Sequence, residues 1–157
     1  FAGLRCGEIC RLRREDVYLD AACPTADVVG KGGKLRTVPL VAPVVTELRA
    51  TGLARTGWLI TRGGEQYPSA QLSIDSHHHL RSLGIATTLH SMRHAFATTT
   101  YQSTRDLLLL KDLLGHESVA TTQIYAQPDM DAVHDRLAGV ADTASSLLGP
   151  RRLRAVR

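Results

Sequence analysis

Residues 90–126 read "HSMRHAFATTTYQSTRDLLLLKDLLGHESVATTQIYA", and this stretch decides the architecture. Its apolar spacing and its punctuation by Gly115 and Ser118 predict three consecutive helices, over 90–102, 104–114 and 118–126. At about 100° per residue, the first of these sets His90, Arg93, His94 and Ala97 on one face and Met92, Ala95 and Phe96 on the other. The second face is expected to make the core, leaving an imidazole and a guanidinium one turn apart on a face that need not be buried. With Ser118 as N-cap of the third helix, Ala120 and Ile124 form its apolar stripe. Tyr125 then falls off that stripe, between the azimuths of Thr121 and Thr122.

Outward from this stretch, a further helix is expected over 69–83, ended by Gly84, and another over 129–147, opened by Pro128 and Asp129. The first third of the chain differs in character. A helix over 4–14 gives way to two short β-rich runs, one around Val28–Val29 and one in "KLRTVPL", about a Gly-rich turn. That pattern predicts a hairpin with Lys31 at its tip and Pro39 closing its second strand. After Pro43, "VVTELRA" reads as a helix stopped by Gly52, "GWLIT" as a short extended piece, and "RGGEQYP" as a loop. The fold class expected is α+β, mainly α-helical, with a small antiparallel hairpin or sheet near the front.

Composition narrows the function classes. The chain has 157 residues, 43% of them hydrophobic, which suffices for a single core. No apolar run approaches the roughly 20 residues of a membrane span. The three cysteines, Cys6, Cys10 and Cys23, are odd in number and lack CxxC spacing, which suits a reducing cytoplasm better than a disulfide framework. The net charge is +4 and the final "RRLRAVR" holds four arginines and no acid, favouring a polyanionic partner. Aromatics are only 4%, too few for a platform on which single-stranded bases stack, so duplex backbone is the expected target. The organisation expected is one domain over 1–149 and a basic tail over 150–157. Phe1 opens the chain inside what reads as a helix, as though leading residues were absent.

Several charged groups have ordinary explanations when taken singly. Arg5 and Glu8, three apart, make a common helix ion pair. Lys31 is a solvated turn lysine. His90 and Arg93 suit a wet helix face, and Tyr125 a half-exposed helix position.

Their order along the chain is less ordinary. Arg5 in "GLRCGE", Lys31 in "GKGGKLRTVP", His90 and Arg93 in "LHSMRHAFAT", His116 in "LLGHES" and Tyr125 in "TTQIYA" together resemble the tyrosine recombinases, the family of phage integrases and Xer-type recombinases. The resemblance runs from Gly3 to Tyr125. It implies that family's catalytic-domain fold, cleavage and rejoining of double-stranded DNA through a covalent 3′-phosphotyrosyl intermediate, and no cofactor or metal. It implies further that Arg5 and Arg93 bind the phosphoryl oxygens, that His90 accepts the proton of the nucleophile Tyr125, that Lys31 protonates the leaving 5′ oxygen, that His116 bonds the phosphate, and that Glu8 supports Arg5. It also implies a tetramer on two duplexes, for which residues 129–147 are the expected contact. Chain ahead of the first arginine, and a separate DNA-clamping domain, are expected from the family and are not in this sequence.

Two rivals define the tests. One is a DNA-binding module that keeps the fold without the reaction. The other is a metal-dependent hydrolase, prompted by the i, i+4 pair His90 and His94 and by His77–His79. It lacks the glutamate of an H-E-x-x-H site.

Overall fold

The computed structural model describes residues 2–52 and 56–126. The helix expected over 129–147 and the tail over 150–157 lie outside the described residues. The architecture is α+β, dominated by helices, with a three-stranded antiparallel sheet and a separate two-stranded ribbon.

Helix α1 spans Cys6–Arg11, shorter than the 4–14 expected. Arg5 is its extended N-cap, and Glu8 in its first turn accepts the Arg5 backbone N–H at 2.8 Å. The chain leaves the helix at Leu12, whose carbonyl accepts from the Leu59 N–H at 2.8 Å, and Arg13 bridges Trp58. Pairing with this later segment replaces the helical turns the sequence pattern suggested.

Strands β1 (Val17–Tyr18), β2 (Thr25–Val29) and β3 (Leu35–Pro39) follow in that spatial order. The register sets Ala26 against Val38 and Val28 against Arg36. With a side-chain period of two, Ala26, Val28 and Val38 face inward and are buried, and Arg36 shares their face. The turn between β2 and β3 contains Gly32 and Gly33 at φ 73° and 75°, a backbone that side chains rarely tolerate, and it carries the exposed Lys31 as expected.

Helix α2 (Ala42–Ala50) has Pro43 in its first turn and lays Val44, Val45 and Leu48 on the buried face of the sheet. The stretch expected as a loop is instead a ribbon of β4 (Thr61–Arg62) and β5 (Glu65–Gln66). Gly63 and Gly64, at φ 63° and 88°, supply the two positive-φ positions that a tight hairpin requires.

Helix α3 spans Ser69–Ser82 and α4 spans Leu89–Thr104. Helix α5 spans Leu107–Leu114 and α6 only Val119–Thr122. The caps explain these boundaries. Thr88 accepts from the Ser91 N–H at 3.1 Å, Asp106 from the Leu109 N–H at 2.9 Å, and Ser118 from the Ala120 N–H at 3.1 Å. Gly115, at φ 63°, ends α5.

A second small core gathers Ala97, Leu110 and Leu114, all fully buried, with Phe96, Tyr101 and Tyr125 packed on it. Two helix faces therefore differ from expectation. On α4 the face of Arg93 and Ala97 is the buried one, while Ala95 is exposed, because α5 packs against that side and Arg93 finds polar partners there. On α6 the buried residue is Thr122, and Ile124 is 57% exposed. The segment makes one α turn and then a 3-10 turn over Gln123–Tyr125, which brings Tyr125 against the core. Among the described residues no helix is long and apolar enough to cross a membrane.

Candidate active site

The site begins with one buried carboxylate. Glu8 is 2% exposed, a placement that is costly for a charge unless it is paired and hydrogen-bonded. Both of its oxygens are met. Arg36 reaches them with a forked pair at 3.0 and 2.9 Å, Arg5 donates Nη1 to Oε1 at 2.9 Å, and Arg93 Nη1 lies 3.8 Å from Oε2. Burial alone would push the Glu8 carboxyl up, but the Arg36 bonds, the Arg5 backbone N–H and the Arg36 charge outweigh it and hold the group below its ordinary value.

The three arginines are then tied to backbone carbonyls on either side of the α5 terminus. Arg36 Nε donates to Leu113 O at 2.9 Å, Arg93 Nη2 to Leu114 O at 2.8 Å, and Arg5 Nη2 to Gly115 O at 3.4 Å. Arg93 also donates to the Gly3 carbonyl. The free carbonyls of a helix C-terminus are natural partners for guanidiniums. Gly115 is required there twice over, by its positive φ and because a Cβ would sit 2.6 Å from the Arg36 guanidinium.

Arg93 is 7% exposed and its guanidinium is pushed down to about 10 by burial and by the neighbouring Arg5 charge, so it stays cationic at neutral pH. It reaches His116 Nε2 at 3.2 Å. Arginine has only donors, so His116 Nε2 must accept, and its Nδ1–H donates to the buried Thr122 Oγ1 at 2.8 Å. That neutral tautomer agrees with a ring pushed down to about 4 by burial and by the charges of Arg93, Arg5 and Arg36.

An open cavity of ≈ 600 Å³ lies over this cluster, and Arg5, Lys31, Lys34, Arg36, Lys111 and His116 are among its lining residues. The Arg5 side chain is 40% exposed, so it faces the cavity while its other edge holds Glu8. Excess fixed cations and an imidazole around a cleft are suited to an anion carried on a larger molecule.

Tyr125 and His90 belong to a second group. The Tyr125 hydroxyl lies 2.9 Å from His94 Nδ1, and His94 Nε2 lies 2.8 Å from His90 Nε2. Burial pushes the Tyr125 hydroxyl up, and the Arg93 charge partly offsets this. The structure thus brings Arg5, Lys31 and His116 to one cavity with Arg93 behind them. It places His94, rather than His90, on the tyrosine oxygen. The Nε2 atoms of His90 and His94 are spent on each other, and among the described residues no three His, Cys, Asp or Glu side chains converge as metal ligands would.

Arg36 and Thr122 are site residues that the sequence reading passed over. Arg36 had a usable signal: in "KLRTVPL" it alternates with Val38 and Leu40, which places an arginine on a buried strand face. Thr122 had none, because its burial follows from the tight 3-10 turn after α6.

Comparison with known proteins extends this geometry. The phage integrase family matches residues 2–132. Tyrosine recombinase XerC of Methylobacterium sp. (strain 4-46) is 41% identical over 137 residues, covering 82% of this chain and 42% of the relative. Tyrosine recombinase XerA of Pyrococcus furiosus is 34% identical over 132 residues, covering 80% and 46%. Among solved structures, the XerH site-specific recombinase bound to its difH substrate superposes with a TM-score of 0.71 at 29% identity, over 88% of this chain and 43% of that one. The XerA recombinase crystal structure also gives 0.71, at 25% identity, over 97% and 56%. The chain spans less than half the length of these two curated relatives. With the arginine cluster, the cationic cavity and the imidazole-bound tyrosine all on the matched stretch, the chain belongs to the phage integrase family, the tyrosine recombinases.

Proposed function

We propose that this chain is the catalytic domain of a site-specific DNA recombinase and that Tyr125 is its nucleophile. The observation that carries this reading is the Tyr125 hydroxyl resting 2.9 Å from an imidazole while three guanidiniums are locked around one buried carboxylate nearby.

Attack of the Tyr125 oxygen on a backbone phosphorus forms a P–O bond to tyrosine and breaks the bond to the 5′ oxygen, leaving a 3′-phosphotyrosyl ester and a free 5′ hydroxyl. Charge grows on the nonbridging oxygens as this happens. Arg5, which faces the cavity and is pre-positioned through Glu8 and the Gly115 carbonyl, offers donors to them with little reorganisation, whereas Arg93 must give up one of its bonds to Gly3, Leu114 or His116 to do the same. His116 adds a bond to the same phosphate once its proton moves to Nε2, the Arg93 bond to that atom giving way and the Thr122 hydroxyl then donating to Nδ1. Lys31, on the hairpin rim of the cavity, gives its proton to the departing 5′ oxygen, and the tyrosine proton leaves towards His90. The ester conserves the energy of the phosphodiester, so attack by another strand's 5′ hydroxyl reverses every step and rejoins DNA. Exchange between two duplexes requires several copies, and a tetramer with residues 129–147 as the contact is the arrangement proposed. The XerH neighbour, named as a site-specific recombinase bound to its difH substrate, supports DNA as the partner, and double-stranded DNA is the form proposed.

The test is to incubate the chain with a duplex nicked near the cleavage position, so that the short cleaved fragment diffuses away, and to look for a protein–DNA adduct stable to denaturant. The expected result is an adduct in the parent and none in Tyr125→Phe. Binding of the duplex without any adduct would contradict the reading and leave a silent DNA-binding module.

A further inference from the structure

The proton of Tyr125 needs a route. Tyr125 packs on Ala97, Leu110 and Leu114, and burial raises the cost of forming its anion. Its hydrogen-bond partner among the described residues is His94 Nδ1, at 2.9 Å with ring centroids 5.5 Å apart. The opposite edge of the same ring, Nε2, lies 2.8 Å from His90 Nε2, and those two rings meet edge to face at 4.5 Å. His90 is exposed and His94 half-buried, so the string runs from the packed tyrosine out to solvent.

Helix α4 fixes this arrangement. Positions 90 and 94 stand one turn apart on one face, and Arg93, between them in sequence, is anchored to Gly3, Leu114 and His116. An imidazole bonded at both nitrogens takes a proton on one edge and releases one from the other without turning.

Resting on the reading of Tyr125 as nucleophile, we infer that His94 is the immediate proton acceptor in this reaction and that it relays to His90. As the Tyr125 oxygen bonds to phosphorus, its proton passes to the lone pair of His94 Nδ1 and the proton on His94 Nε2 passes to the lone pair of His90 Nε2. His94 ends neutral with its proton on the other edge, and His90 carries one positive charge. The 5′ oxygen takes its proton separately, from Lys31. In rejoining, the charge on His90 runs back along the string and the proton returns to the departing tyrosine oxygen.

The experiment measures single-turnover adduct formation by the whole chain on two nicked duplexes, one normal and one with sulfur in place of the bridging 5′ oxygen. Sulfur leaves without a proton, so the second duplex removes the need for Lys31 and isolates proton loss from Tyr125. His94→Asn keeps a polar group near Nδ1 but relays no proton. It is expected to slow both duplexes about 100-fold, whereas Lys31→Ala is slow on the normal duplex and restored on the sulfur one. His94→Asn combined with His90→Gln is expected to be no slower than the slower single variant, because a relay fails once. In the parent, the rate on the sulfur duplex plotted against the deuterium fraction of the solvent should bow, as for two protons moving together. This reading is independent of how any variant folds.

A His94→Asn rate within about threefold of parent, multiplying losses in the double variant, or a straight deuterium plot would overturn the relay while Tyr125→Phe remains inactive. An adduct that survives Tyr125→Phe would overturn the nucleophile reading itself.

Discussion

The arginine cluster around Glu8 and the string from Tyr125 to His90 stand close together yet are built by opposite rules. In the cluster each charge is fixed several times over: Arg36 spends Nε, Nη1 and Nη2 on three different acceptors, and Glu8 receives from two side chains and a backbone N–H. In the string each link is one hydrogen bond between groups that are exposed or half-buried. A frame that must present positive charge to a transition state gains from rigidity, because preorganised donors need not move when charge develops. A path that must pass protons in both directions gains from symmetric links whose donor and acceptor can exchange. On the proposed reaction, charges that must stay fixed and protons that must move are held by separate residues of one small site.

The largest effect expected on stability therefore lies in the frame. Arg36→Ala takes the forked pair from a buried carboxylate and leaves it the two Arg5 bonds alone, which should cost about 3 kcal/mol in a urea unfolding experiment. His94→Asn, in the string, should cost less than about 1 kcal/mol. Equal losses in the two variants would erase the distinction. Thr122→Val comes next: it removes the buried acceptor of the part-buried His116 Nδ1–H and should cost about 1–2 kcal/mol while leaving Glu8 and its arginines in place.

A pH dependence follows from the same ring. The His116 pKa falls from 6.5 to about 4 on folding, so between those values the unfolded chain binds more protons than the folded one. Stability is full above about pH 6.5 and declines as the pH drops towards 4. The depressed Glu8 carboxyl adds a further loss only below its ordinary 4.5. Thermal unfolding followed from pH 7.5 to 4.5 should show this decline in the parent and a flatter profile in His116→Gln. A parallel profile would remove His116 from the frame. The smallest effect is at the rim, where Lys34 and Glu117 pair at 3.7 Å with both side chains mostly exposed. Lys34→Ala should change stability by less than about 0.5 kcal/mol.

Much of this was legible in the sequence. The helical order from Ser69 to Tyr125, the hairpin that carries Lys31 and the spacing from Arg5 to Tyr125 all read from local patterns of glycine, caps and apolar period. What was not legible depended on long-range partners. Arg93 looked suited to a wet face because nothing local shows that Gly3 and Leu114 carbonyls wait for it 90 and 21 residues away. Ile124 looked buried and is not, because the tight turn after α6 shifts the azimuths on which the stripe was counted. His94 was placed on the right face, but its contact with Tyr125, 31 residues on, is a fact of packing alone. Arg36 is legible by contrast, since strand alternation with Val38 and Leu40 sets it among buried residues.

On the proposed reaction the oxygen of Tyr125 becomes esterified to DNA. The most direct measurement is to trap the adduct on a nicked duplex, trim the DNA with nuclease, digest the protein and locate the remaining nucleotide by mass spectrometry. The expected result is a nucleotide joined through its 3′ phosphate to Tyr125 and to no other residue. A nucleotide on a different side chain, or no adduct from chain that binds the duplex, would contradict it.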